Sequence, residues 1–288
     1  GLDSADLADV EVIEGDLPHA DPNEAPTPLP DDPERITAIV FTSGSTGVPK
    51  GAVFRECHLE AAASIDGIAE GTWGGGGPMM ASTPFPHVGF VMKVLGYLRL
   101  GATLHTLPRW RADDVWHLVE RARLTTLGAV APQIALLLRS SLADRVDRSL
   151  LRTVIAGGAA SPPALISETT SRLGVAYSVR YSSTESGGVG LSVDWTPDDD
   201  PVDSIGLPRA GVSAELRADD GVRVVDDGEP GELWIRSPAV CGGYLGDHDA
   251  TATVLVDVFG RSGDLGVHGA HGVRLVGTDS LSVGTFGP

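Results

Sequence analysis

The stretch Ile36 to Phe54 reads ITAIVFTSGSTGVPKGAVF. An apolar run, Ile39-Val40-Phe41, leads in, and Ala52-Val53-Phe54 is apolar again on the far side. Both flanks are short, β-branched or aromatic and bounded by glycine, which is the signature of strands. Between them lies Thr42-Ser43-Gly44-Ser45-Thr46-Gly47, then Val48-Pro49-Lys50-Gly51. Glycine lets backbone N–H groups turn inward and approach a ligand closely. Hydroxyls add donors and a lysine adds a point charge, so the loop has the parts of a phosphate cradle. The competing reading is a plain Ser/Gly surface turn. Lysine usage argues against it, because Lys50 and Lys93 are the only lysines in the chain and one of them closes this loop.

The loop is not a Walker A motif, since Gly51 rather than Ser or Thr follows Lys50. It resembles the signature loop of the AMP-forming adenylate enzymes, which include acyl-CoA synthetases, luciferases and nonribosomal adenylation domains. That signature, Thr-Ser-Gly-Ser-Thr-Gly-x-Pro-Lys-Gly, is matched at every fixed position by Thr42 to Gly51.

Composition narrows the partners. The formal charge is -18, which disfavours nucleic acid and anionic membranes as partners and requires local compensation for any nucleotide phosphate. Two cysteines, Cys57 and Cys241, stand far apart in no metal spacing and read as thiols of a reducing compartment, here the cytoplasm. No apolar run approaches the ~20 residues that span a bilayer. The acidic N-terminus lacks the basic region of a signal peptide. The chain opens on Gly1 and reads as a fragment.

Residues 1–35 form an acidic, proline-rich leader with a possible short edge strand at Asp9 to Val12. From Ile36 to Ser186, strand-like and helix-like stretches alternate. Helices are expected over His58–Glu70, Val88–Leu98, Ala112–Arg123, Pro132–Ser140 and Pro162–Arg172. Strands are expected at Met79–Ser82, Ala102–Thr106, Thr125–Val130, Thr153–Ala156 and Val175–Val179. Such alternation implies an α/β fold with a mainly parallel sheet covered by helices. From residue 187 to 288, short strands separated by Asp/Gly turns predict a small β-rich subdomain, with strands at Val212–Arg217, Val222–Val225, Glu232–Arg236 and Gly272–Val276.

Further segments extend the resemblance in the family's order. Thr83-Pro84-Phe85-Pro86-His87-Val88-Gly89 is similar to the segment whose histidine or aromatic lines the acyl pocket, which implies His87 and, later, Ser182 as pocket residues. Ala156-Gly157-Gly158-Ala159-Ala160 resembles the adenine-flanking turn, where missing side chains let the purine approach the backbone. Tyr181-Ser182-Ser183-Thr184-Glu185 resembles the motif Tyr-Gly-x-Thr-Glu, with Ser182 in place of glycine. The resemblance gives Tyr181 the adenine, Thr184 the α-phosphate and Glu185 a Mg²⁺ ion, for which a carboxylate is a suitable hard ligand. Gly231-Glu232-Leu233, Gly243-Tyr244 and Arg261-Ser262-Gly263-Asp264 resemble the closing motifs, with Asp264 accepting from the ribose hydroxyls. The pair His268 and His271 has no further ligand nearby and reads as a glycine turn.

The resemblance implies that a carboxylic acid, fatty or related, attacks Mg-ATP to give acyl-AMP and then passes to coenzyme A. Lys50, Thr184 and Glu185 are the implied catalytic residues. A carrier protein as acceptor stays open, although no acidic anchor for an amino acid stands around His87. A nucleotide-binding remnant without turnover also stays open. Thr278 follows Gly277 where the family has arginine, and no lysine follows Lys93. The expectation is therefore a chain that covers the middle of the family's length, with the C-terminal lid domain absent.

Overall fold

The signature stretch folds as a hairpin in a computed structural model that describes residues 29–42, 48–67 and 77–278. Strand β1 (Ile36–Phe41) pairs antiparallel with β2 (Gly51–Arg55), Val40 opposite Ala52 and Phe41 opposite Gly51. The Thr42 N–H donates to the Lys50 carbonyl at 2.9 Å and so closes the described ends of the loop. Ser43–Gly47 lie outside the described residues, as do the leader strand expected at Asp9–Val12 and the tail from Leu281.

Helix α1 (Glu56–Ile65) follows directly. Strand β3 (Met79–Met80), helix α2 (Val88–Leu100) and strand β4 (Leu104–His105) come next, with β3 and β4 parallel and α2 packed on α1. Helix α3 (Ala112–Ala122) carries Asp113 and Asp114 in its first turn and Arg121 in its last, as the helix dipole favours. Strand β5 (Thr126–Ala129), helix α4 (Ala131–Arg139), strand β6 (Thr153–Gly157), helix α5 (Pro163–Leu173) and strand β7 (Ala176–Tyr181) complete two crossover units. Strands β5, β6 and β7 are parallel neighbours, as helical crossovers require. Strands β8 (Leu191–Trp195) and β9 (Leu207–Pro208) extend the same sheet antiparallel. The sheet thus continues by two strands beyond the last of its crossover helices.

A second, antiparallel sheet contains β10 (Ser213–Arg217), β11 (Gly231–Arg236), β12 (Leu255–Val256), β13 (Phe259–Gly269) and β14 (Gly272–Thr278). Helix α6 (His248–Val254) precedes β12 and is capped by Asp247, which accepts from the Ala250 N–H at 2.9 Å. From Pro33 onward the described residues belong to one compact unit. One core joins α3, α4, α5 and the first sheet around Trp116, Leu127, Ile134 and Tyr177. The Trp116 indole N–H donates to the Leu137 carbonyl at 3.0 Å, so its one polar atom is satisfied inside that core. A second core joins the hairpin to α1, α2, β8 and β11 through Val40, Phe54, Leu59, Met92, Leu191 and Leu233. The signature hairpin is thus fixed between both sheets.

Two expectations are corrected. The helix expected over His58–Glu70 is α1, which begins at Glu56 and ends at Ile65, where Asp66 turns to meet Arg209. No strand forms at Val222–Val225. The Asp220 carboxylate accepts the N–H groups of Val222 and Arg223, both at 2.9 Å, and bends the chain, leaving a single bridge at Val224. A strand not expected, β13, spans Phe259–Gly269 and carries Asp264 opposite Thr278. Among the described residues, no helix is long and apolar enough to cross a membrane.

Candidate active site

The hairpin carries Lys50 just before β2, and the segment after β11 packs against that strand. The Gly242 N–H donates to the Val53 carbonyl at 2.8 Å, the Val53 N–H to Gly243 at 2.9 Å, and the Leu245 N–H to Gly51 at 2.8 Å. This ladder places the Tyr244 ring under Lys50, whose Nζ is 5.4 Å from the ring centroid. The Tyr244 hydroxyl then donates to Glu185 Oε1 at 2.6 Å. Lys50, Tyr244 and Glu185 therefore form one continuous chain. Burial pushes the Tyr244 phenol well above its ordinary range, and the Glu185 charge adds to the effect, so the hydroxyl stays a donor.

Glu185 sits in a tight turn after β7. The Gly187 N–H donates to the Thr184 carbonyl at 3.0 Å and Gly188 N–H to Ser183 at 3.2 Å. Ser183 and Ser186 cap one another, each hydroxyl accepting the other's N–H at 3.0 Å. Gly187 has φ +73°, and a Cβ there would come within 2.2 Å of the Ala239 carbonyl oxygen, so only glycine fits. The Cys241 N–H donates to the Glu185 carbonyl at 2.9 Å and ties the turn to the Tyr244 segment. Cys241 itself is buried and unbridged, its thiol pushed up to about 11 mainly by burial, consistent with a packing role.

At the end of β7, the Tyr181 hydroxyl donates to Asp264 Oδ2 across the boundary between the two sheets. Burial, followed by the Asp264 charge, raises the Tyr181 phenol well above its ordinary range. The Asp264 N–H donates to the Ser262 hydroxyl at 3.0 Å, which steadies the backbone of β13 there. Gly157 ends β6 opposite Arg180, and a Cβ on it would sit 3.2 Å from the Arg180 carbonyl oxygen. Gly158 adopts φ +74°, and Ala159 beside it is exposed. Ser182 is exposed and Thr184 half-buried.

His87 caps α2, its Nδ1 accepting the Gly89 N–H at 3.0 Å. Burial, with a smaller contribution from Lys93, lowers its pKa, so the imidazole is neutral with its proton on Nε2. The structure thus gathers Lys50 with Glu185, and Tyr181 with Asp264. Ser43–Gly47 are outside the described residues. Tyr244 is the member of the constellation to which the sequence assigns no role; its only signal there is the Gly-Tyr turn. Among the described residues no group of three or more His, Cys, Asp or Glu side chains is arranged to hold a metal. Glu185 is a single carboxylate, a donor set that suits a Mg²⁺ ion keeping its other ligands as waters and substrate phosphates.

A family model for the AMP-binding enzymes matches residues 2–245. The chain belongs to the AMP-binding enzyme family. Among the relatives of this AMP-binding enzyme, 4-coumarate–CoA ligase 2 of Oryza sativa subsp. japonica is 32% identical over 275 residues, covering 90% of this chain and 48% of that protein. Indoleacetate–CoA ligase of Aromatoleum aromaticum is 31% identical over 254 residues, 88% of this chain and 48% of that protein. The N-terminal domain of FACL13 from Mycobacterium tuberculosis, solved with an inhibitor bound, superposes with a TM-score of 0.78 at 26% identity, covering 88% of this chain and 63% of that one. The chain spans about half the length of the curated relatives it matches, and its α/β architecture is that of the N-terminal domain of adenylate-forming enzymes.

Proposed function

We propose that this chain carries the nucleotide- and acid-binding part of an ATP-dependent acid–CoA ligase. The observation that supports it is the convergence of Lys50, Tyr244 and Glu185 at one end of the site with Tyr181 and Asp264 at the other. Lys50 and the loop Thr42–Gly47 hold the β- and γ-phosphates. Thr184 donates to the α-phosphate, and Glu185 holds the metal that neutralises phosphate charge. Gly157, Gly158, Ala159 and Tyr181 flank the adenine, and Asp264 accepts from the ribose. The carboxylic acid lies against His87 and Ser182. Its carboxylate attacks the α-phosphorus in line, forming acyl-AMP and releasing pyrophosphate. The thiol of coenzyme A then takes the acyl group and releases AMP. The protein's part is placement and charge stabilisation. Coenzyme A is favoured over a carrier protein as acceptor because the relatives named above are CoA ligases.

ATP–pyrophosphate exchange with a panel of fatty and aryl acids tests this reading. Acid-dependent exchange, followed by acyl-CoA formation on adding coenzyme A, is the expected result. Nucleotide binding without exchange for any acid would instead support the remnant reading.

A further inference from the structure

Asp264 is the one ribose contact in the reading above, and its strand does not hold it in a regular ladder. Strand β13 pairs with β11 at Glu232–Leu265 and next at Trp234–Arg261, so the register slips across Ser262, Gly263 and Asp264. Against β14 it slips again, between Leu265 and Gly266. Gly263, at the centre of the first slip, has φ +72°, a conformation that favours glycine. The Glu232 carboxylate braces the backbone there. Its Oε1 accepts the Gly263 N–H at 3.2 Å, and its Oε2 accepts from Arg261 Nε at 3.0 Å. A bulge of this kind re-aims the side chain it carries. The χ2 torsion of an aspartate is broad, so the backbone alone does not decide which way the carboxylate plane faces.

Tyr181 supplies what the ladder does not. It ends β7, opposite Leu191. Its backbone is fixed by close approach, since a Cβ on Gly190 would come within 2.4 Å of the Tyr181 carbonyl oxygen. Its ring packs against the core that holds Leu191 and the signature hairpin. From that rigid base its hydroxyl donates to Asp264 Oδ2, on the other sheet. Ser262 closes the arrangement, because its hydroxyl accepts the Asp264 N–H at 3.0 Å and also hydrogen-bonds the Tyr181 oxygen.

We propose that the Tyr181 hydroxyl is a positioning group: by holding Asp264 Oδ2 it orients the carboxylate toward the ribose hydroxyls, while the Tyr181 ring alone meets the adenine. The inference rests on the ligase reading, in which Asp264 accepts from the ribose. The hydroxyl therefore acts on the nucleotide only through Asp264. A bond that merely joined the two sheets would not distinguish nucleotides with ribose hydroxyls from those without them.

The test is a calorimetric titration of the full chain with Mg-ATP and with Mg-dideoxy-ATP, which keeps the adenine and the triphosphate but lacks both ribose hydroxyls. The parent should bind ATP the tighter of the two. Tyr181→Phe keeps the ring and should weaken ATP about tenfold, the order of one hydrogen bond to a charged group, while leaving dideoxy-ATP within about twofold of the parent. Retained dideoxy-ATP binding also reports that the variant is folded. Asp264→Ala should weaken ATP in the same selective way, and adding Tyr181→Phe to it should cause no further loss. Parent-like ATP binding in Tyr181→Phe, an equal loss for both nucleotides, or additive losses in the double variant would overturn the proposal. A parent that binds both nucleotides equally, or neither, would instead remove the ribose contact from the ligase reading, and this inference with it.

Discussion

The Tyr244 hydroxyl donates to Glu185 Oε1 at 2.6 Å while the ring of the same tyrosine lies 5.4 Å from Lys50 Nζ. One side chain therefore sets the distance between the lysine of the signature loop and the carboxylate assigned to the metal. Tyr244→Phe keeps the ring and removes the donor. The Mg-ATP dissociation constant should rise about tenfold or more, the order of one hydrogen bond to a charged acceptor. Titration across a range of Mg²⁺ concentrations checks this, with the effect expected to shrink as Mg²⁺ rises. An unchanged constant would separate Tyr244 from the site.

Gly187 is the backbone hinge of the Glu185 turn. Gly187→Ala places a methyl group within 2.2 Å of the Ala239 carbonyl oxygen at φ +73°. Destabilisation by roughly 2–4 kcal/mol is expected from a non-glycine residue forced into that geometry against backbone. The shift of the urea unfolding midpoint measures it. A variant as stable as the parent would show that the turn is not held as described.

Two histidines accept backbone N–H groups at helix starts: His58 Nδ1 from Arg55 at 3.1 Å and His87 Nδ1 from Gly89 at 3.0 Å. Burial is the first cause lowering both pKa values, with Arg55 acting on His58 and Lys93 on His87. The folded state thus binds fewer protons than the unfolded one near the ordinary histidine value. Their contribution to stability is complete above about pH 6.5 and is lost as pH falls through the lowered folded values. Unfolding midpoints measured from about pH 7.5 down to about pH 5, a range spanning that value, should decline, and His87→Gln should flatten part of the decline. A flat profile in the parent would contradict the assignment.

Much of this site was legible because its motifs are contiguous in the chain. Thr42 to Gly51, Gly157 to Ala159 and Tyr181 to Glu185 each resemble a family motif within a few adjacent residues. The contacts between motifs were not legible. Tyr181 reaches Asp264 across 83 positions and Tyr244 reaches Glu185 across 59, and no local pattern encodes such pairings. Strand β13 was hidden by Gly260, Gly263, Gly266 and Gly269, which locally signal turns. In the fold at least one of them has a packing reason, since a Cβ at Gly266 would come within 2.7 Å of Val273. The pairing of Asp66 with Arg209 was equally hidden, because 143 positions separate them.

The central claim is that Lys50 and Asp264 grip opposite ends of one nucleotide. Calorimetric titration of Mg-ATP into the parent chain, Lys50→Ala and Asp264→Asn tests it most directly. The account predicts binding at one site in the parent and a loss of at least about tenfold in each variant, the order expected for removing one charge-assisted contact. Parent-like affinity in both variants would contradict it.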